Sequence, residues 1–141
     1  MAVIDVLDQV SDLCSVGAKK SLDAMLSLGS KPDGAIEALL WEQQTKRLQG
    51  QINSLTAMVS KLTAAAVIEG LKDFEADLKT IGDTAKDAEA RIKQIKRVSD
   101  LLTKLAKVLD LGLALLAAAA APSTATIAAV VTAGTAVAKD D

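Results

Sequence analysis

The chain has 141 residues, half of them hydrophobic, with a formal net charge of −2, no histidine, one cysteine, and Trp41 and Phe74 as its only aromatics. Without histidine there is no Ser-His-Asp triad and no histidine-bearing zinc site, and a lone Cys14 excludes thiolate clusters and an intramolecular disulfide. The length fits a single elongated module spanning 1–141, and the balance of charge gives no global attraction to nucleic acid.

Residues 2–28 predict a first amphipathic helix. Val3, Val6, Val10, Leu13 and Gly17 recur at steps of three and four, Leu7 and Cys14 widen the stripe, and Leu22, Met25 and Leu26 continue it. Cys14 lies on this apolar face and reads as a small buried hydrophobe. The acids Asp5, Asp8 and Asp12 stand where a secretory signal would carry basic residues, so a soluble protein is expected, cytoplasmic or released by a non-standard route and open to membrane association.

Residues 29–34 punctuate the chain. Gly29 suits a left-handed helix C-cap, Pro32 cannot continue a helix, and Asp33 is a candidate cap for the next one. So short a connection predicts two antiparallel helices side by side.

From 35 to 110 the pattern predicts one long heptad helix. Leu48, Ile52, Leu55, Val59 and Leu62 form a seam that skips one residue near Ala66 and Val67. It resumes through Leu71, Phe74, Leu78, Ile81, Ala85, Ala88, Ile92, Ile95, Ser99, Leu102, Ala106, Leu109, Leu113 and Leu116. If continuous, this element is on the order of 120 Å long at about 1.5 Å per residue. A turn at Gly82-Asp83 is the competing division, although the seam holds its phase through that point. Charge is segregated: residues 73–89 are mostly acidic and residues 91–107 mostly basic. A solvated helix face and a membrane-surface collar are both consistent with this.

Residues 111–138 contain no charge. Pro122 divides the run, Ser123 is the expected N-cap of the second arm, and the two arms predict an apolar helical hairpin. Each arm is shorter than the roughly 20 residues a membrane span requires. Small residues at four-residue spacing, Ala117 with Ala121 and Val130 with Gly134, permit close helix contact.

The fold expected is therefore all-α: an elongated antiparallel hairpin or bundle ending in an apolar hairpin. No catalytic constellation, metal site or cofactor motif is present, and the acidic pairs Asp73 with Asp77 and Asp83 with Asp87 read as salt-bridged helix faces with Lys79 and Lys86. Neither an enzyme, a small-molecule substrate nor a nucleic-acid partner is expected. A basic, heptad-patterned helix followed by an uncharged Ala/Val/Gly-rich hairpin resembles the cytolysin-A-like α-helical pore-forming toxins. The segment RIKQIKRVSDLLTKLAKVLDLGLALLAAAAA carries most of this likeness. The resemblance implies an elongated bundle, a hydrophobic head that inserts into membranes, and a ring-shaped oligomer. The chain departs from that family in having no long helix after the hairpin. Two readings follow. In one, an oligomerising protein inserts 111–138 into a lipid bilayer. In the other, a self-assembling scaffold or coiled-coil adapter buries the same run against copies of itself or a helical partner. In both, Leu113, Leu115, Leu116, Ile127, Val130, Val131 and Val137 are the expected membrane or assembly contacts. In the first, Lys104 and Lys107 lie near lipid head groups.

Overall fold

A computed structural model describes residues 3–64 and 74–139, with side chains from residue 6 onward. The described residues form five α-helices and no strand: α1 (Val3–Ser27), α2 (Ala35–Ala64), α3 (Glu75–Gln94), α4 (Val98–Ala120) and α5 (Thr124–Ala138). They pack as a bundle, so the all-α expectation holds.

The helices alternate in direction and close into a ring. α1 packs on α2 and α3, α3 on α5, α5 on α4, and α4 on α2, while α1 and α4 also meet across the ring. Side-chain contacts fix the levels. Lys20 Nζ on α1 donates to the Lys93 carbonyl of α3 at 3.0 Å, and the charge of Asp12 bears on Glu89 one level below, so α1 and α3 run parallel. Gly17 meets both Leu55 of α2 and Leu105 of α4, and further along Gly112 of α4 abuts Met58 of α2, so those two helices run parallel as well. One end of the bundle therefore gathers the C-termini of α1, α3 and α5 with the N-termini of α2 and α4.

Each amphipathic stripe buries one face in a shared core. α1 contributes Val6, Leu7, Val10, Leu13 and Cys14; α2 contributes Leu48, Leu55, Met58 and Leu62. α3 contributes Leu78, Ile81, Ala85, Ala88 and Ile92, the residues of the predicted seam. Gly82 lies buried within α3, so the turn considered there does not exist. Burial pushes the Cys14 thiol up to about 12, as expected for an inert apolar side chain. The expected phase skip near Ala66 and Val67 lies outside the described residues.

The continuous 35–110 helix is not formed. Ile95 and Arg97 take extended backbone, and the chain turns back between α3 and α4. The seam resets there. Leu102, Ala106, Leu109, Leu113 and Leu116 were the expected core positions of α4, but the buried ones are Leu101, Leu105, Val108, Leu111, Leu115 and Ala118. The physical reason is coverage. A single long helix would leave most of its apolar seam in water, whereas folding back buries α3 and α4 against α1, α2 and α5.

Gly17, Gly112 and Gly134 mark helix crossings. A methyl group on Gly17 would stand 2.6 Å from Leu105 Cδ2 and 3.2 Å from Leu55 Cδ1, joining α1, α2 and α4. One on Gly134 would stand 2.7 Å from Ile81 Cδ1 of α3. The small residues of the uncharged run thus serve close packing inside the chain. Turn chemistry follows the sequence closely. Gly29 adopts φ +67°, and Ser123 caps α5 through a capping box with Thr126. Gly34 rather than Asp33 precedes the first residue of α2, its carbonyl accepting from Ala38 N–H at 2.8 Å.

Candidate functional site

The uncharged run is covered by the protein itself. Leu115, Ile127, Val130 and Val137, expected to face lipid or neighbouring copies, are buried in the core. Leu116 and Val131 are half-buried, and Leu113 alone of the seven is exposed. The burial has a simple cause: α3 offers α5 a matching apolar face, with Ile81 reaching Gly134. Among the described residues no helix is long and apolar enough to cross a membrane.

Lys104 is buried with this run. Only 6% of it is exposed, and its ammonium turns inward to donate to the carbonyls of Val137 at 2.9 Å and Lys139 at 2.5 Å. Arg91 Nη1 on α3 donates to the Ala138 carbonyl at 2.7 Å. Two cations from different helices therefore hold the C-terminal carbonyls of α5, where unpaired carbonyls and the negative end of the helix dipole both favour positive charge. In this fold the clasp gives Lys104 an internal role. Lys107, three residues on, is half-buried on α4.

The exposed apolar surface lies elsewhere, at the tip of the α1–α2 hairpin. Ile36 is 73% exposed and Leu26 69%, and Leu22, Leu39 and Leu40 are exposed with them. Leu22 and Leu26 share a face of α1, and Ile36, Leu39 and Leu40 share a face of α2. No residue of α2 before Leu48 is buried. The levels explain this: with Met58 against Gly112, and Leu55 and Leu105 both on Gly17, the start of α4 at Val98 lies beside residues 44–48 of α2, so residues 35–43 rise above it by on the order of 13 Å. The tip is a built structure. Trp41 Nε1 donates to the Gly29 carbonyl at 3.1 Å, and Lys31 is ion-paired with Glu42 across the turn. That hydrogen bond and charge hold the Glu42 carboxyl below its usual range.

The two ends of the bundle differ in charge. Around and below the tip stand Lys19, Lys20, Lys31, Lys46, Arg47, Lys93, Lys96 and Arg97, with Asp23, Asp33, Glu37, Glu42 and Asp100 among them. Towards the opposite end stand Asp8, Asp12, Glu75, Asp77, Asp83, Asp87 and Asp110, answered chiefly by Lys61, Lys79 and Lys86. Partial burial, and then the nearby charge of Asp12, push the Glu89 carboxyl up. The alternating helix directions turn the charge blocks of the sequence into a polarised molecule; the projection itself carries Asp33, Glu37 and Glu42 against Lys31, and the belt below it is basic. Among the described residues no group of acids or thiols is placed to hold a metal ion.

Comparison with known proteins finds no matching family model, no matching curated protein and no matching solved structure. The class that the fold defines is an all-helical bundle, and the function must be argued from its surface.

Proposed function

We propose that this is a non-catalytic helical protein that docks on anionic membrane surfaces through its α1–α2 tip. The observation that carries the reading is the projecting set Leu22, Leu26, Ile36, Leu39 and Leu40 standing above a belt of Lys19, Lys20, Lys46, Arg47, Lys93, Lys96 and Arg97. Apolar side chains can enter the headgroup boundary while lysines and arginines meet anionic lipid, each contributing about 1 kcal/mol near the surface. Trp41, with an apolar ring and a tethered N–H, suits the same boundary.

Insertion of 111–138, as the resemblance to cytolysin-A-like toxins implies, is a second step in this reading. α5 would first give up its bonds to Lys104 and Arg91 and leave the core. Oligomerisation on the membrane belongs to that step.

Co-sedimentation with vesicles tests the docking. Wild type is expected to pellet with phosphatidylserine-containing vesicles, weakly with pure phosphatidylcholine, and less at high salt. The double variant Leu39→Asp/Leu40→Asp should lose at least tenfold in partitioning while keeping its helical circular dichroism. Absence of wild-type binding, or equal binding by the variant, overturns the reading. The same exposed tip is what a self-assembling scaffold would cover with a second copy. Stable oligomers in plain buffer that the double variant dissolves, with no vesicle binding, would establish that reading instead.

A further inference from the structure

Beside the tip, the corner between α3 and α4 leaves a cleft of about 410 Å³ against the end of α1. Its floor is apolar: Ala24 and Leu28 from α1, Ile95 from the corner, and Val98 and Leu101 from α4. Its rim is cationic: Lys20, Lys96 and Arg97, with Asp23 the single carboxylate among the lining residues. Lys20 already donates to the Lys93 carbonyl, which fixes its ammonium at the rim, and an ammonium retains further donors. Arg97 precedes the first turn of α4 and supplies no side-chain cap, so that turn's N–H groups add to the positive field on one side.

We infer that this cleft binds a single-chain alkyl carboxylate, with the carboxylate between Lys20, Lys96 and Arg97 and the chain on the floor from Leu28 to Leu101. The chemistry selects this class. Three cations against one acid suit a monoanion better than a neutral or cationic head. An apolar floor suits an alkyl tail and offers no base or sugar a set of hydrogen-bond partners. At about 30 Å³ per heavy atom the cleft holds on the order of a dozen such atoms, the size of decanoate. A small-molecule ligand was not expected from the sequence, because the cleft exists only where the predicted long helix breaks. The inference does not rest on membrane docking: its apolar floor lies off the projecting tip, although Lys20, Lys96 and Arg97 also belong to the basic belt below that tip.

Methyl-resolved NMR titration of the full chain tests it, with decanoate and decyltrimethylammonium as probes below their micelle concentrations. Decanoate is expected to shift Leu28, Ile95, Val98 and Leu101 saturably, and the cationic probe of equal chain length to bind at least tenfold more weakly. Lys96→Glu/Arg97→Glu, at two exposed positions, should weaken decanoate by at least tenfold. Equal affinity for the two probes in wild type, undiminished decanoate affinity in the charge-reversed variant, or shifts centred on Leu39 and Leu40 would each overturn the assignment. The probe comparison stands on wild type alone should the variant fail to fold.

Discussion

Two apolar regions of this molecule face opposite ways. Residues 111–138 carry no charge, yet Leu115, Ile127, Val130 and Val137 are sealed inside the bundle. Residues 22–40 mix Lys31 and the acids Asp23, Asp33 and Glu37 with their leucines, yet expose Leu26, Ile36, Leu39 and Leu40. Mean hydropathy ranks the two regions in the reverse order of their exposure. What decides exposure is whether another helix stands opposite. α5 has α3 and α4 on its flanks, whereas the first turns of α2 rise above the start of α4. Solvent contact is set by the lengths and levels of the helices, and only secondarily by how apolar a segment is.

A buried charge placed in each region breaks or sharpens that contrast most directly. Val130→Asp puts a carboxylate where the native side chain is fully enclosed, and should cost about 3–5 kcal/mol, enough to unfold much of the population. Leu40→Asp, at a half-exposed position on the tip, should change stability by no more than about 0.5 kcal/mol. Urea denaturation in plain buffer measures both. If Val130→Asp were tolerated as readily as Leu40→Asp, the run would not be core.

The clasp on α5 comes next in size. Lys104→Met keeps the apolar stem but withdraws two bonds from the carbonyls of Val137 and Lys139, with an expected loss of about 1–3 kcal/mol. The effect should be local. Amide hydrogen exchange should quicken through α5 well before it does in α1, because the buried faces of α1 do not depend on the clasp. Uniform quickening in both helices would mean that α5 has no separate opening.

Much of the fold was legible where local chemistry decides it. Gly29 and Ser123 set their caps, Pro122 divides the uncharged run, and the α3 stripe and the α1 stripe from Val6 to Gly17 are buried as their spacing dictates, whereas Leu22 and Leu26, expected to continue the α1 stripe, stand exposed. The α3–α4 corner was not legible, because IKR between Gln94 and Val98 contains neither glycine nor proline and makes an acceptable helix. Its trace in the sequence is a second stripe, Leu101, Leu105, Val108, Leu111 and Leu115, one residue out of phase with the first. A phase change of that kind, without a breaker, is a weak signal that tertiary coverage turns into a turn. The site was less legible still. Ile36, Leu39 and Leu40 precede the seam that begins at Leu48, and only the relative levels of α2 and α4 leave them in solvent. Lys104 read as a surface collar because the carbonyls it meets lie more than thirty residues away.

The smallest expected effects concern two carboxylates with opposite shifts. Glu42, at the tip, is held down by its hydrogen bond and charge pairing with Lys31. Its contribution to stability is therefore present above the unfolded glutamate value of about 4.3 and fades as pH falls through its lower folded value. Glu89 is pushed up, first by partial burial and then by Asp12. Its protonated form suits the fold better, so its contribution is present below the unfolded value and is lost as pH rises through the higher folded one. Glu89→Gln should accordingly raise stability at neutral pH, by no more than about 0.5 kcal/mol after solvent screening, and the gain should vanish in acid. Glu42→Gln should lower the melting temperature slightly at neutral pH, and that loss should vanish in acid. Thermal melts of the three proteins across pH 3–7 separate the two signs. A parallel response from both variants would mean that the tip pair and the α1–α3 acid contact do not differ as the geometry requires. Because the Lys31–Glu42 pair is solvent-exposed and belongs to the projecting hairpin, its loss should leave the α5 exchange pattern unmoved. That keeps the two apolar regions separable even in the weakest measurement.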